Sequence, residues 1–153
     1  MMFLPESKWS PRYGTQFYTI RMNSYVTLDK PATYLGDTTF GDDECSLCNH
    51  NTKFPAVYYK IDVIRGNTQH TVLRRYSQFL YLCKKIDVTE RDNILKRHLP
   101  PKTGLFHRDS PEFLEERMEG LYKFMMDALI RPECVNNKWV EDFLELSAGE
   151  ENP

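Results

Sequence analysis

The spacing of apolar residues predicts strands in the first half of the chain and helices in the second. Between residues 57 and 64 two sets of side chains alternate, which is the period of a β-strand. Residues that favour strands run from Gln16 to Leu28 and predict an earlier strand, broken near Asn23-Ser24. Gly66-Asn67 predicts a tight turn into a third strand, roughly Thr68 to Arg75. This hairpin would carry its last arginine to the edge of the sheet.

From Ser77 onward the apolar period becomes helical, and we expect Ser77 to cap the first helix. A short helix around Glu90 to Lys96 is compatible with the pattern. Asp109-Ser110-Pro111-Glu112 predicts the start of a long helix, and Asn136 or Asn137 is expected to cap the last one. The apolar positions of the three main helices are Phe79, Leu82, Cys83 and Ile86; Leu114, Met118, Leu121, Met125 and Leu129; and Trp139, Val140, Phe143 and Leu144.

These elements predict one α+β domain over residues 16–146. Residues 1–15 contain two prolines and a glycine, and we interpret them as an irregular arm. Residues 30–53 have no clear period and include an acidic cluster, which predicts a long, mobile insertion between the first two strands. Residues 147–153 are predicted to form a frayed tail. The initial methionine and the domain-like length lead us to expect an N-terminal fragment of a longer protein.

Composition and charge layout point to a globular domain with an anionic partner. The chain has 153 residues, of which 41% are hydrophobic and 13% aromatic, which is enough for one core. Its net charge is only -2, but residues 74–108 carry nine Lys/Arg against three Asp/Glu, a net of +6. Residues 109–153 carry four against twelve, a net of -8. The basic block predicts an anionic partner, whereas the acidic overall balance weakens the case for a nucleic acid.

The sequence also argues against several other classes of protein. No apolar run approaches the ~20 residues that a membrane-spanning helix needs. Met1 to Leu4 is too short for a signal peptide, so we expect a cytoplasmic protein with four reduced cysteines. No glycine-rich phosphate loop, nucleophile motif or two-metal carboxylate cluster occurs. We therefore predict neither enzymatic activity nor a cofactor.

Candidate binding chemistry is concentrated in Arg74-Arg75-Tyr76-Ser77-Gln78-Phe79, where the strand pattern changes to a helical one. The N-terminus of a helix attracts phosphate, and a guanidinium offers two parallel donors for it. Neighbouring side chains of a strand point to opposite faces, so only one arginine can easily enter a pocket. We expect Arg75 to do so and Arg74 to be structural or peripheral. The alternative is a solvated arginine pair beside a core tyrosine.

The chain resembles a phox homology (PX) domain, the phosphoinositide-binding module of sorting nexins and oxidase subunits. The resemblance covers about residues 16–146. It rests on the six residues above, then on Leu99-Pro100-Pro101-Lys102 and Glu116-Arg117-Met118, which follow in the family's order. It implies a three-stranded antiparallel sheet packed against three to four helices, with a proline-rich loop. It also implies a site for phosphatidylinositol 3-phosphate.

Four residues match the family's headgroup-binding positions. Arg75 is similar to the arginine that grips the 3-phosphate, and Tyr76 to the aromatic floor under the inositol ring. Lys102 is similar to the lysine that meets the 1-phosphate, and Arg117 to the arginine that hydrogen-bonds the 4- and 5-hydroxyls. From the residues alone, Lys102 could equally be a solvated loop lysine. The stem of Arg117 could pack while its head reaches water or a glutamate. Ser77 stands where some members carry another cation.

Leu105 and Phe106 follow Lys102 in a predicted exposed loop. An exposed apolar pair next to basic residues suits insertion into the interface of an anionic membrane. The alternative is that one of the two side chains folds back over the core.

The leading interpretation is a peripheral module on early endosomal membranes. The alternative is a protein-interaction domain of the same fold, with weak or no phosphoinositide binding. The partner surface would then include the 30–53 insertion, which contains Cys45, Cys48 and His50. A structural zinc site usually uses two cysteine pairs, so no metal is predicted there.

Overall fold

A mixed four-stranded sheet forms one layer of the domain. The structure is a computed structural model that describes residues 1–30, 40, 55–86, 99 and 110–149. The strands lie in the order β1-β2-β3-β4. They are β1 (Met2–Phe3), β2 (Phe17–Leu28), β3 (Ala56–Arg65) and β4 (Thr68–Arg74).

The antiparallel part of the sheet follows the predicted pattern closely. β2 pairs with β3 and β3 with β4, and the last pairing places Arg65 opposite Thr68 at the hairpin turn. Gly66 in this turn has a φ of 54°, a left-handed conformation that glycine adopts without steric cost. The register of β2 against β3 shifts between Arg21 and Ser24, which confirms the predicted break in the first long strand.

The N-terminal segment, predicted as an irregular arm, contributes an extra strand. β1 runs parallel to the start of β2, and the Leu4 amide donates to the Tyr18 carbonyl at 2.9 Å. Phe3 is buried, with its ring 5.6 Å from that of Tyr18. A 3-10 helix, Pro11–Gln16, then leads into β2. The burial of Phe3, the packing of Met1 against the core and the backbone bond from Leu4 hold β1 at the edge of the sheet. Two residues of sequence do not reveal these contacts.

Three α-helices among the described residues cover one face of the sheet: α1 (Tyr76–Ile86), α2 (Pro111–Leu129) and α3 (Lys138–Leu144). Two short 3-10 helices, Pro132–Cys134 and Leu146–Gly149, flank α3. The Ser110 hydroxyl accepts from the Phe113 amide at the start of α2, as the sequence pattern predicted. Asn137 caps α3 by accepting from the Trp139 and Val140 amides at 2.9 and 3.3 Å.

Aromatic rings join the helices to the sheet. Phe79 of α1 contacts Tyr59 of β3 and Phe143 of α3, with ring centroids 6.5 and 5.1 Å apart. Phe40, from the segment predicted as an insertion, is also buried and packs edge-on against Phe143 and Tyr81 at 5.2 and 5.6 Å. Phe40 is therefore part of the core. The rest of the predicted insertion that follows Lys30 lies outside the described residues, as do the helix expected near Glu90 and residues 150–153.

The predicted α+β class is confirmed, with β1 added to the three antiparallel strands. Among the described helices, none has the length and apolar composition needed to cross a bilayer. The described residues likewise contain no group of three or more side chains able to hold a metal ion. Cys45, Cys48 and His50 lie outside them.

The buried thiol of Cys134 makes stability depend on alkaline pH. Burial raises its pKa from 9.0 to about 11; Glu133 acts in the same direction, and Arg131 opposes it. As pH rises above 9 the unfolded chain loses this proton first, so the contribution is complete below pH 9 and declines towards pH 11. We expect a loss of up to about 1.4 kcal/mol per pH unit in the free energy of unfolding. Urea unfolding across this range measures it, and Cys134→Ala should show a shallower decline; equal slopes would contradict the assignment.

Candidate functional site

The candidate site begins where β4 becomes α1 with only Arg75 between them. The Arg75 carbonyl accepts from the Gln78 amide at 2.9 Å, so Arg75 occupies the cap position of α1. The Gln78 side chain reaches back and accepts from the Arg75 amide at 2.9 Å, the reciprocal half of a capping box. The prediction that Ser77 caps the helix was wrong, because α1 begins at Tyr76 and Arg75, two residues before Ser77, holds the cap position.

Arg74 points into the protein and is fully buried. Its Nε donates to the Phe143 carbonyl at 3.0 Å, and its Nη2 to the Asp142 carbonyl at 3.4 Å. Its guanidinium also lies 5.5 Å from the Phe40 ring centroid. The last turn of a helix has unpaired carbonyls and negative partial charge, which suit a buried cation. Arg74 therefore ties β4 to the end of α3, a structural role.

Arg75 lies at the N-terminus of α1 with its backbone held by Gln78. Only 9% of the residue is exposed, and its Nη1 donates to the Ser77 hydroxyl. The backbone amides at the start of α1 and the guanidinium therefore occupy the same end of the helix. Both favour an anion at this position.

Arg117 reaches this region from α2, about forty residues further along the chain. Its guanidinium lies 4.0 Å from the centroid of the Tyr76 ring and 4.4 Å from that of Phe113. Stacking of a guanidinium on aromatic rings keeps it charged in a partly desolvated place. The structure thus brings Arg117 onto Tyr76, the residue directly after Arg75, in agreement with the predicted grouping of these three.

Tyr59 of the sheet feels the charge of Arg117 and packs against a second tyrosine, Tyr25. Burial raises the pKa of Tyr59 to about 12, while the positive charge of Arg117 acts to lower it; Tyr25 and Tyr76 raise it further. Burial also raises the pKa of Tyr76, again opposed by Arg117. The Tyr25 and Tyr59 rings pack edge-on, with centroids 6.2 Å apart. Tyr59 and Tyr76 are therefore neutral hydrogen-bonding groups at physiological pH.

Sequence reasoning did not include Tyr59 or Tyr25 in the site. Tyr59 belongs to the alternating apolar set of β3, so the pattern marks it only as a core residue. The available signal was strand register. Tyr59 pairs with Arg74 on one side and with Tyr25 on the other, which places both tyrosines at the end of the sheet next to Arg75.

The other predicted site residues, Lys102, Leu105 and Phe106, lie outside the described residues. Leu99, which begins the proline-containing segment, packs against the core.

A concavity of about 440 Å³ lies between β2 and α2, away from the start of α1, and the charge of its lining does not suit a phosphate. Its lining includes Glu6, Glu115 and Glu119 but only one cation, Arg21. Arg21 is itself paired with Glu6 at 2.7 Å. Of these two places, the cationic one at the start of α1 is the one that suits an anionic ligand.

The fold is that of a PX domain. A sequence model of the PX domain family matches residues 62–147, and the chain belongs to this family. PX domains are membrane-binding modules that recognise phosphoinositides and generally act without catalysis.

Two curated relatives are sorting nexins from yeasts. The chain is 32% identical over 104 residues to sorting nexin MVP1 of Yarrowia lipolytica, a match that covers 61% of this chain and 16% of that protein. It is 29% identical over 128 residues to sorting nexin-3 of Kluyveromyces lactis, covering 73% of each. The chain therefore corresponds to a small part of the first relative and to most of the second.

Solved structures share the fold. A designed CISK-PX domain superposes with a TM-score of 0.57 at 25% identity, covering 82% of this chain and 97% of that one. The mouse SNX19 PX domain with a bound sulphate ion gives a TM-score of 0.51 at 23% identity, covering 83% and 94%.

The two adjacent arginines should respond differently to truncation. Arg74→Ala would leave a cavity and unpaired carbonyls, and we expect it to lower the free energy of unfolding by about 3 kcal/mol. Arg75→Ala, the matched control, should cost about 1 kcal/mol or less because its head lies at the helix terminus. Urea unfolding measures both. Equal losses, or an unchanged Arg74→Ala, would contradict the structural role of Arg74.

Proposed function

We propose that this domain targets membranes by binding the headgroup of phosphatidylinositol 3-phosphate. The observation that carries the proposal is the stacking of Arg117 on Tyr76, at the start of the helix capped by Arg75. A guanidinium from a distant segment is thus stacked on the residue that directly follows Arg75.

Each of the three residues suits one part of this ligand. Arg75, together with the first amides of α1, favours the doubly charged 3-phosphate. Tyr76 offers a ring against which the inositol can lie. Arg117 can donate to the 4- and 5-hydroxyls, because a guanidinium has five N–H donors and need not use all of them on one partner.

The remaining parts of the proposal concern residues outside the described ones. Lys102 would contact the 1-phosphate, and Leu105 and Phe106 would enter the lipid interface. Burial of the two apolar side chains could contribute roughly 3–6 kcal/mol before losses. The anionic surface of the membrane would attract the neighbouring cations. We propose a cytoplasmic protein held peripherally on early endosomal membranes, without enzymatic activity.

Two comparisons support this function. The mouse SNX19 PX domain, which shares the fold, was crystallised with a sulphate ion, an anion with the shape of a phosphate. The sequence relatives are sorting nexins.

A second candidate function is a protein-interaction PX domain with weak or no phosphoinositide binding. The contact between Arg75 and the Ser77 hydroxyl favours it, because a phosphate would have to compete with this internal partner. The partner surface would include residues 30–53.

Removal of the Arg75 guanidinium should abolish binding. We expect Arg75→Ala to lower affinity for phosphatidylcholine vesicles containing phosphatidylinositol 3-phosphate by at least about 30-fold, the loss of a charge-assisted bidentate contact. Vesicle co-sedimentation measures the effect.

The matched control is Arg12→Ala, which removes the same charge from an exposed position in the 3-10 helix before β2. It should bind like the wild type. Unchanged binding by Arg75→Ala would reject the site assignment. A folded wild-type protein that does not bind these vesicles would favour the second candidate function.

Insertion of the apolar pair can be separated from headgroup recognition. The double variant Leu105→Ser/Phe106→Ser should lose at least about 10-fold in vesicle affinity, because both side chains would leave the apolar interface. Its affinity for a soluble, short-chain form of the same lipid should not change, as measured by calorimetry. A parallel loss in both assays would mean that these residues support the fold instead.

A further inference from the structure

One buried hydroxyl beside the candidate site has no hydrogen-bond partner in the part of the chain that the structure describes. Tyr59 is only 1% exposed, and its hydroxyl has no hydrogen-bond partner among the described residues. Burial of a hydroxyl without a partner is unfavourable, and folded proteins rarely retain such a group. A ligand that supplies the missing partner is one physical reason to keep it.

The position of Tyr59 is fixed by its neighbours. On β3, Tyr59 pairs with Tyr25 of β2 on one side and with Arg74 of β4 on the other. Arg74 directly precedes Arg75 in the chain. The Tyr59 ring is held edge-on by Tyr25 at 6.2 Å and by Phe79 at 6.5 Å. The hydroxyl therefore cannot swing out to water without displacing core rings.

The same hydroxyl shares its surroundings with the cationic part of the site. The charge of Arg117 acts on the pKa of both Tyr59 and Tyr76, and the guanidinium stacks on the Tyr76 ring. At neutral pH the phenol keeps its proton and can donate it. Neither Arg75 nor Arg117 can accept that proton, since a guanidinium has no acceptor. The oxygens of an inositol phosphate can.

We propose that Tyr59 is a further ligand-binding residue whose hydroxyl donates a hydrogen bond to an oxygen of the inositol phosphate headgroup beside Arg117. This inference rests on the function proposed above and adds to it a neutral donor from the sheet. The guanidinium of Arg117 lies over the rings of Tyr76 and Phe113. A hydroxyl fixed by packing would then meet the ligand with little loss of side-chain entropy.

The test is Tyr59→Phe, which removes one oxygen and keeps the ring. We expect its dissociation constant for soluble, short-chain phosphatidylinositol 3-phosphate to rise by about 3- to 10-fold, the net effect of one hydrogen bond. Titration calorimetry measures it. The thermal midpoint of the free variant should equal or exceed that of the wild type, because an unpartnered hydroxyl has been removed.

Tyr18→Phe is the matched control. Tyr18 is 3% exposed and lies at the opposite end of β2, opposite Arg65. The Tyr18→Phe substitution should leave the dissociation constant for the same lipid unchanged. If the wild type binds and Tyr59→Phe binds equally well, the inference is rejected while the proposed function stands. A large fall in the thermal midpoint of Tyr59→Phe would reject it too, because the hydroxyl would then serve the free protein. A wild type that does not bind this lipid would reject both.

Discussion

The buried guanidinium of Arg74 holds the domain together at the point where the sheet meets the helices. It bonds to the carbonyls of Asp142 and Phe143, and His70, on the same strand, contacts the Leu144 carbonyl at 2.8 Å. The imidazole must donate here, because a carbonyl only accepts. Two side chains of β4 therefore supply donors to the last carbonyls of α3, and the Asp142 carbonyl also accepts from the Glu145 amide at 3.3 Å.

This anchoring decides which of the two arginines lies at the candidate site. With Arg74 committed to the interior, the change from strand to helix turns Arg75 to the N-terminus of α1, where the amides and Gln78 hold its backbone. Arg117 approaches from α2 and lies on the ring of the next residue, Tyr76. The site is thus built from a packed junction rather than from a long loop, which favours a well-defined geometry.

Much of the fold could be predicted from the sequence, because its signals are local. The alternation in β3, the glycine turn and the Ser110 cap each act within a few residues, and each is present in the structure. The grouping of Arg75, Tyr76 and Arg117 was implied by family resemblance, whereas no local pattern contains it.

Features that depend on distant contacts were missed. The pairing of β1 and the burial of Phe40 each depend on contacts with distant parts of the chain, made from segments without periodicity. The prediction that Ser77 caps α1 was wrong for a related reason. A glutamine three residues into the helix competes for the same role, and short-range patterns do not rank the two. The sequence pattern identifies Tyr59 only as a core residue. Such a pattern does not show whether the buried hydroxyl has a hydrogen-bond partner.

Gln78 couples the ligand site to the connection between β2 and β3. Its side-chain oxygen holds the Arg75 amide, while its side-chain nitrogen donates to the Phe40 carbonyl at 3.2 Å. Both ends of this amide are buried, so neither contact can be exchanged for water. A chimera with a shorter connection between β2 and β3 would remove the Phe40 carbonyl that accepts from the Gln78 side chain. Gln78 would then hold the backbone of Arg75, thirty-five positions after Phe40, less firmly. Grafting between relatives must therefore transplant the phenylalanine and the glutamine as one unit.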